Sequence, residues 1–330
     1  MDKSADKRPT LRSLAEITGL GISTVSQALR NSPAIAEDTR KRVQLAAQQA
    51  GYRPNRAGVR LRTGKTMVIT VVLNPQDEGS GFFSQFVYGI SDALANSGYH
   101  LVITPYNLQD PMSPIRYIVE TASADGIIIS RTQPNDARIR YLHDNNIPFA
   151  THGRTEMGIA HAFHDFDNEA FAYVAAKRLA ERGRKRIALI APPPDLNYFH
   201  HTNLGFERGM KDFGLESFPI NSCNTDTPLA QVEALGRTLA HHPQRPDGII
   251  GAATTATFAL SAGLQHEGLR IGVDFDAASK HSSNLMNIAM PDIISIPEDF
   301  HQAGFRAAQL LMQAIDGVAV ETLQEVISLL

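Results

Sequence analysis

LAEITGLGISTVSQALR, residues 14–30, carries two short apolar stripes on either side of a glycine-containing turn. Leu11, Leu14, Ala15 and Ile17 mark one face of a first helix, for which Thr10 is the natural N-cap. Gly19 and Gly21 break it, and Ile22, Val25, Ala28 and Leu29 recur at helical spacing in the second. Working outward, Pro33 separates this pair from a third helix, Glu37 to Gln49, which stops at Gly51. Three short helices with a tight turn between the first two make a helix-turn-helix, so the chain opens on an all-α head.

The next stretch, YRPNRAGVRLRTGK (52–65), holds Arg53, Arg56, Arg60, Arg62 and Lys65 and no acid. Pro54 closes the helical region, and Asn55 can cap a short helix from Arg56 to Leu61. Residues 1–65 contain 13 Lys and Arg against 5 Asp and Glu, while the remainder contains 18 against 29. A basic head on an acidic body points to a polyanion partner met by the head alone.

Beyond Lys65 the period changes. Apolar runs at 67–73, 100–104, 126–130, 186–191, 247–252 and 292–296 alternate with helical stretches at 85–96, 169–182, 229–241, 256–267 and 302–316. Alternation of this kind predicts parallel sheets wound with helices on both faces. It starts afresh at Arg186, which makes two doubly wound α/β lobes with a ligand cleft between them, beyond the carboxyl ends of the strands. No run reaches the length of a membrane span and the charged N-terminus lacks a signal-peptide core, so a cytoplasmic protein is expected. Cys223 stands alone and is read as a small packed side chain.

The run from Leu11 to Asn55, with its TVS (24–26), DTR (38–40) and GYRPN (51–55) pieces in order, resembles the lactose-repressor (LacI) family of bacterial regulators. Fainter echoes follow in FF (82–83), GR (153–154), DN (167–168) and GFERGM (205–210). The resemblance implies a homodimer on a pseudo-palindromic operator, with a periplasmic-binding-protein-like core that accepts a small effector, a sugar or sugar derivative. It divides the chain into a DNA-binding domain (1–54), a hinge helix (55–65) and an effector-binding core (66–330). Within that core, one lobe takes 66–167 and 297–320 and the other 168–296 and 321–330. No cofactor is called for, and with no heptad tail a dimer is expected rather than a tetramer.

By family position Ile22, Ser23 and Gln27 read bases. Ile22 suits a thymine methyl, Ser23 is permissive, and Gln27, where the family usually has Arg, suits adenine N6 and N7. Thr10, Thr24, Ser26, Arg30, Thr39 and Asn55 are the candidates for phosphate contact. In the hinge, Arg56 and Gly58 flank a minor-groove wedge at Leu61. Gly58 stands where Ala is usual and costs about 1 kcal/mol of helix stability, so the hinge should fold only when docked on DNA.

For the effector the family positions are Phe82, Phe83, Arg154, Asp167, His201, Thr202, Lys280 and His281. ASKHSS (278–283) replaces an acid-ending strand and favours an acidic ligand over a neutral sugar. The histidines of HAFHDFD (161–167) and His200–His201 lack a Cys pair or an HExxH helix, so no metal is assigned. GSGFF (79–83) does not have phosphate-cradle spacing. The rival readings are a sugar-processing enzyme, for which no nucleophile–base pair assembles, and a solute-binding protein, which a basic head argues against.

Overall fold

The computed structural model describes residues 9–52, 58, 60–61, 64–74, 81–281, 288 and 290–329. They divide into two compact units, Met1–Met67 and Val68–Leu330.

The first unit holds α1 (Leu11–Thr18), α2 (Ile22–Leu29) and α3 (Glu37–Gln49). Thr10 caps α1 as expected. Its hydroxyl accepts from the Ser13 N–H at 3.2 Å while the Ser13 hydroxyl accepts from the Thr10 N–H at 2.7 Å, a reciprocal capping box. Gly19 ends the helix at φ +67°, a conformation that glycine adopts without steric cost. Leu14, Val25 and Val43, one from each helix, are fully buried and form the centre of the head. Downstream, Gly58, Arg60 and Leu61 are helical and the Gly64 N–H donates to the Arg60 carbonyl at 2.8 Å. Leu61 is 90% exposed, and Asn55 and Arg56 lie outside the described residues.

The second unit contains two all-parallel sheets. The first has the order β11-β5-β4-β3-β1-β2, from β1 (Val68–Leu73), β2 (His100–Pro105), β3 (Gly126–Ile129), β4 (Phe149–His152), β5 (Ala162–Phe166) and β11 (Gln324–Ile327). The second has the order β10-β9-β8-β6-β7, from β6 (Arg186–Ile190), β7 (Glu216–Phe218), β8 (Gly248–Gly251), β9 (Asp276–His281) and β10 (Ile294–Pro297). Strands such as GIII and GIIG are apolar throughout because helices cover both faces.

On the first sheet α4 (Phe82–Leu94) and α11 (Phe300–Ile315) cover one face, and α5 (Ser113–Glu120) and α6 (Ala137–Asp144) the other. The crossing of α4 and α11 is nearly backbone on backbone. A Cβ at Gly89 would stand 1.9 Å from the His301 carbonyl oxygen, and one at Gly304 2.1 Å from that of Phe86. The second sheet is flanked by α7 (Asn168–Glu181) and α8 (Asn197–Asp212) on one side, and by α9 (Leu229–Ala240) and α10 (Thr254–His266) on the other.

The chain therefore leaves the first lobe after β5, builds the second through β10, and returns with α11. Residues 321–330, expected in the second lobe, are a correction. β11 extends the first sheet in parallel register with β5, Val326 beside Asp165, and Leu329 alone among the described residues of this run packs against the second core. The physical reason is that the edge of β5 offers free ladder positions, which the Phe163 and Asp167 N–H groups fill by donating to Leu323 and Ile327.

Candidate DNA-reading face and effector cavity

On the head, α2 buries Val25 and Ala28 completely and turns its first turn outward, with Ile22 49% exposed and Ser23 exposed. Gln27 lies one turn further along, half-buried. Gly21 precedes the helix with no side-chain cap, so the first-turn amides of α2 are not taken up by a capping side chain. Among the phosphate candidates, Arg30 is exposed and its Nε donates back to the Ser26 carbonyl at 3.0 Å. Thr24, Ser26 and Thr39 are half-buried, and the Thr10 hydroxyl already caps α1.

Between the lobes of the second unit lies a cavity of about 430 Å³. Its floor is a buried cation. The Lys280 ammonium donates to Asn168 Oδ1 at 2.5 Å, pairs with Glu298 at 3.1 Å, and sits over the Phe166 ring at 4.6 Å. His152 stacks between Phe82 and His164 and approaches Glu298 at 3.7 Å. Burial holds its imidazole down to about 4, with Lys280 adding to the effect, so it is neutral near pH 7. Asp165, also in the lining, is pushed up to about 6 by burial, while Arg154 at 3.3 Å pulls the other way.

Nearer solvent, Arg131 of the first lobe forms a two-pronged pair with Asp226 of the second. The cations lining or bordering the cavity, Lys280, Arg131 and Arg154, thus each have a carboxylate partner. Phe82, Tyr198 and Phe300 supply apolar wall. The arrangement offers hydrogen-bonding groups and ring faces to a small polar molecule, with little unmatched charge.

Of the eight residues expected here, Phe82, Lys280 and His281 line the cavity. Phe82 and Phe83 open α4, and Phe83 packs against the first-lobe core. Asp167 caps α7 by accepting from the Ala170 N–H at 2.9 Å. The run before GFERGM is the middle of α8, where Thr202 is fully buried and donates to the Tyr198 carbonyl at 2.7 Å. Arg154 and His201 face each other at 3.4 Å beside the cavity, and Arg154 reaches it through Asp165. These five positions stand outside the cavity lining, engaged in helix capping, core packing and ion pairing.

Sequence reasoning missed Arg131, His152, Asp165, Asn168, Asp226 and Glu298. A usable signal existed for some of these: Arg131 and Glu298 follow the ends of β3 and β10, where ligands of open parallel sheets are bound. Among the described residues no group of three or more His, Cys, Asp and Glu could hold a metal, and no helix is long and apolar enough to cross a membrane.

Residues 10–55 match the family model of bacterial regulatory proteins, lacI family, and residues 66–327 that of periplasmic binding proteins and the sugar binding domain of the LacI family. HTH-type transcriptional regulator AglR of Rhizobium meliloti (strain 1021) is 31% identical over 305 residues, covering 90% of this chain and 84% of that protein. Among solved structures, a transcriptional regulator CelR–cellobiose complex shares 25% identity at a TM-score of 0.71, with 97% of each chain covered. The lac repressor dimer bound to operator and the anti-inducer ONPF shares the fold at a TM-score of 0.82, with 18% identity over 97% of this chain and 96% of that one. This chain belongs to the LacI family of bacterial transcriptional regulators, a helix-turn-helix DNA-binding head joined to a two-lobed periplasmic-binding-protein-like core.

Proposed function

We propose that the protein represses transcription as a homodimer on a pseudo-palindromic operator, and that a neutral saccharide in the interlobe cavity controls it. The observation that carries the effector reading is the pairing of charge: Lys280 with Glu298, Arg131 with Asp226, Arg154 with Asp165. An anionic ligand would have to displace a carboxylate from its cation, whereas hydroxyl groups can add hydrogen bonds to pairs that stay intact. The sequence alone favoured an acidic ligand at Lys280; Glu298 removes the reason for that preference. The CelR–cellobiose complex supports a sugar in this core type.

Ile22, Ser23 and Gln27 read bases from the first turns of α2, with Thr24, Ser26, Arg30 and Thr39 toward phosphate. Leu61, 90% exposed on a helical segment, serves as the minor-groove wedge of a hinge that includes Arg56 and Gly58, with Asn55 a further phosphate contact. The dimer reading is supported by β2, an edge strand that leaves Val102 43% and Ile103 42% exposed.

Isothermal titration against neutral disaccharides, sugar acids and sugar phosphates tests the effector class. Binding confined to neutral sugars is expected; binding confined to the acids or phosphates would overturn the charge-pair reading.

A further inference from the structure

The loop after β3 joins the lobes in an unusual way. Arg131 holds φ at +55°, a left-handed conformation uncommon outside glycine, which needs support from its surroundings. That support is a second arginine. Arg138 on α6, 4% exposed, donates through Nη2 to the Arg131 carbonyl at 2.9 Å and to the Ser130 carbonyl at 3.3 Å. Its charge is matched by Asp136, whose carboxyl is lowered despite burial by its hydrogen bonds and ion pair with Arg138.

Across the cavity, Asp226 is just as firmly placed. Its N–H donates to Asn224 Oδ1 at 2.9 Å, and the neighbouring Thr225 N–H donates to the Ala191 carbonyl at 2.9 Å, tying the loop to the end of β6. Each lobe therefore holds out one charge on a pre-set loop, and the two meet over the cavity. The side chains of Arg131 and Asp226 keep 17% and 26% exposure, against 8% and 7% for Lys280 and Glu298 at the floor. The pair lies on the solvent side, where a ligand would pass.

We propose that Arg131 and Asp226 form an interlobe clasp that gates the cavity, and that Arg138 is its positioning residue. The inference rests on the cavity being a ligand site, but it concerns access rather than ligand identity. Opening the lobes must separate an Arg–carboxylate pair held in a fork geometry, so the closed state is favoured before any ligand arrives.

The test needs no effector. Ala252 is buried and lines the cavity, so Ala252→Cys in a Cys223→Ala background of the full chain places one thiol inside. Its reaction rate with a neutral thiol reagent such as iodoacetamide reports opening. Asp226→Asn is expected to raise that rate roughly tenfold. Reversal of the pair, Arg131→Asp with Asp226→Arg, should restore slow labelling. Arg138→Lys keeps the buried charge but loses the fork, and should raise the rate as Asp226→Asn does, with no further increase when the two are combined.

A rate unchanged by Asp226→Asn in a folded protein would overturn the clasp. A lower melting temperature for Arg138→Lys with unchanged labelling would reduce Arg138 to a structural role and overturn its positioning assignment. Failure of every saccharide to bind would remove the effector reading and leave these rates as they are.

Discussion

Ile22, Ser23 and Gln27 stand on one helix of eight residues, whereas the cavity gathers side chains from Phe82 to Phe300 across both lobes. The first site is fixed by local rules. A capped α1, a glycine break and an apolar stripe that buries Val25 and Ala28 leave the opposite face of α2 outward. The cavity is fixed by topology instead, since its walls meet only after eleven strands have taken their places. The two sites also differ electrically. The head presents excess positive charge to a polyanion, while the cavity pairs its cations before a ligand arrives.

The sharpest way to break this contrast is at the cavity floor. Lys280→Ala leaves Glu298 and Asn168 buried without their cation and should cost about 3–5 kcal/mol, read as a fall in the urea midpoint. A loss under about 1 kcal/mol would mean that the floor is not organised around this pair.

On the head the expected effect is smaller and sequence-selective. Gln27→Ala should cost about 1–3 kcal/mol of operator affinity and relax preference at one base pair, measured across single-substitution operator variants. An unchanged rank order of variants would take Gln27 out of the reading face.

Acid should strike the core through its buried histidines. His152 and His164 are held down to about 4 from an ordinary 6.5, chiefly by burial. The unfolded chain takes up protons first, so their contribution to stability is present above about pH 6.5 and is lost as pH falls toward 4. Asp165, raised to about 6, works against this, because protonation below pH 6 relieves the cost of burying its charge. Two histidines outweigh one carboxyl, and the thermal midpoint should drop between pH 6.5 and 4. Asp165→Asn should steepen the drop and His164→Leu flatten it; the same curve for all three proteins would refute the assignment.

The smallest change belongs to Arg30. Arg30→Ala should weaken operator binding evenly over all sequences and lower the magnitude of the salt slope by about 0.9 for each phosphate it no longer neutralises. An unaltered slope would show that this exposed arginine does not meet phosphate.

What could be read from the residues alone follows the same divide between local and long-range order. Helix α3 runs over Glu37–Gln49 as its pattern predicts, and the apolar stripes of the first two helices fall in α1 and α2. The strands β1, β3, β6, β8 and β10 were equally visible, since parallel strands covered on both faces read as unbroken apolar runs, and the edge strand β2 was visible from its apolar HLVIT run. AFHDF, DAASKH and QEVI were not, because polar groups interrupt them. Those interruptions are informative: Asp165, Lys280 and His281 point into the cavity from β5 and β9. The polar positions that obscure β5 and β9 as strands are thus part of the cavity wall. Long-range pairings such as Lys280 with Glu298 or Arg131 with Asp226 have no local signature, so an ammonium that looked open to an anion in sequence is matched in the fold.

The most direct test joins the two regions. DNA selected by the protein from a random pool is titrated with the full chain at fixed salt, alone and with a neutral disaccharide, a sugar acid or a sugar phosphate. Enrichment of a pseudo-palindrome is expected, with its affinity changed by a neutral saccharide. No palindrome, or a response to the anionic compounds alone, would contradict it.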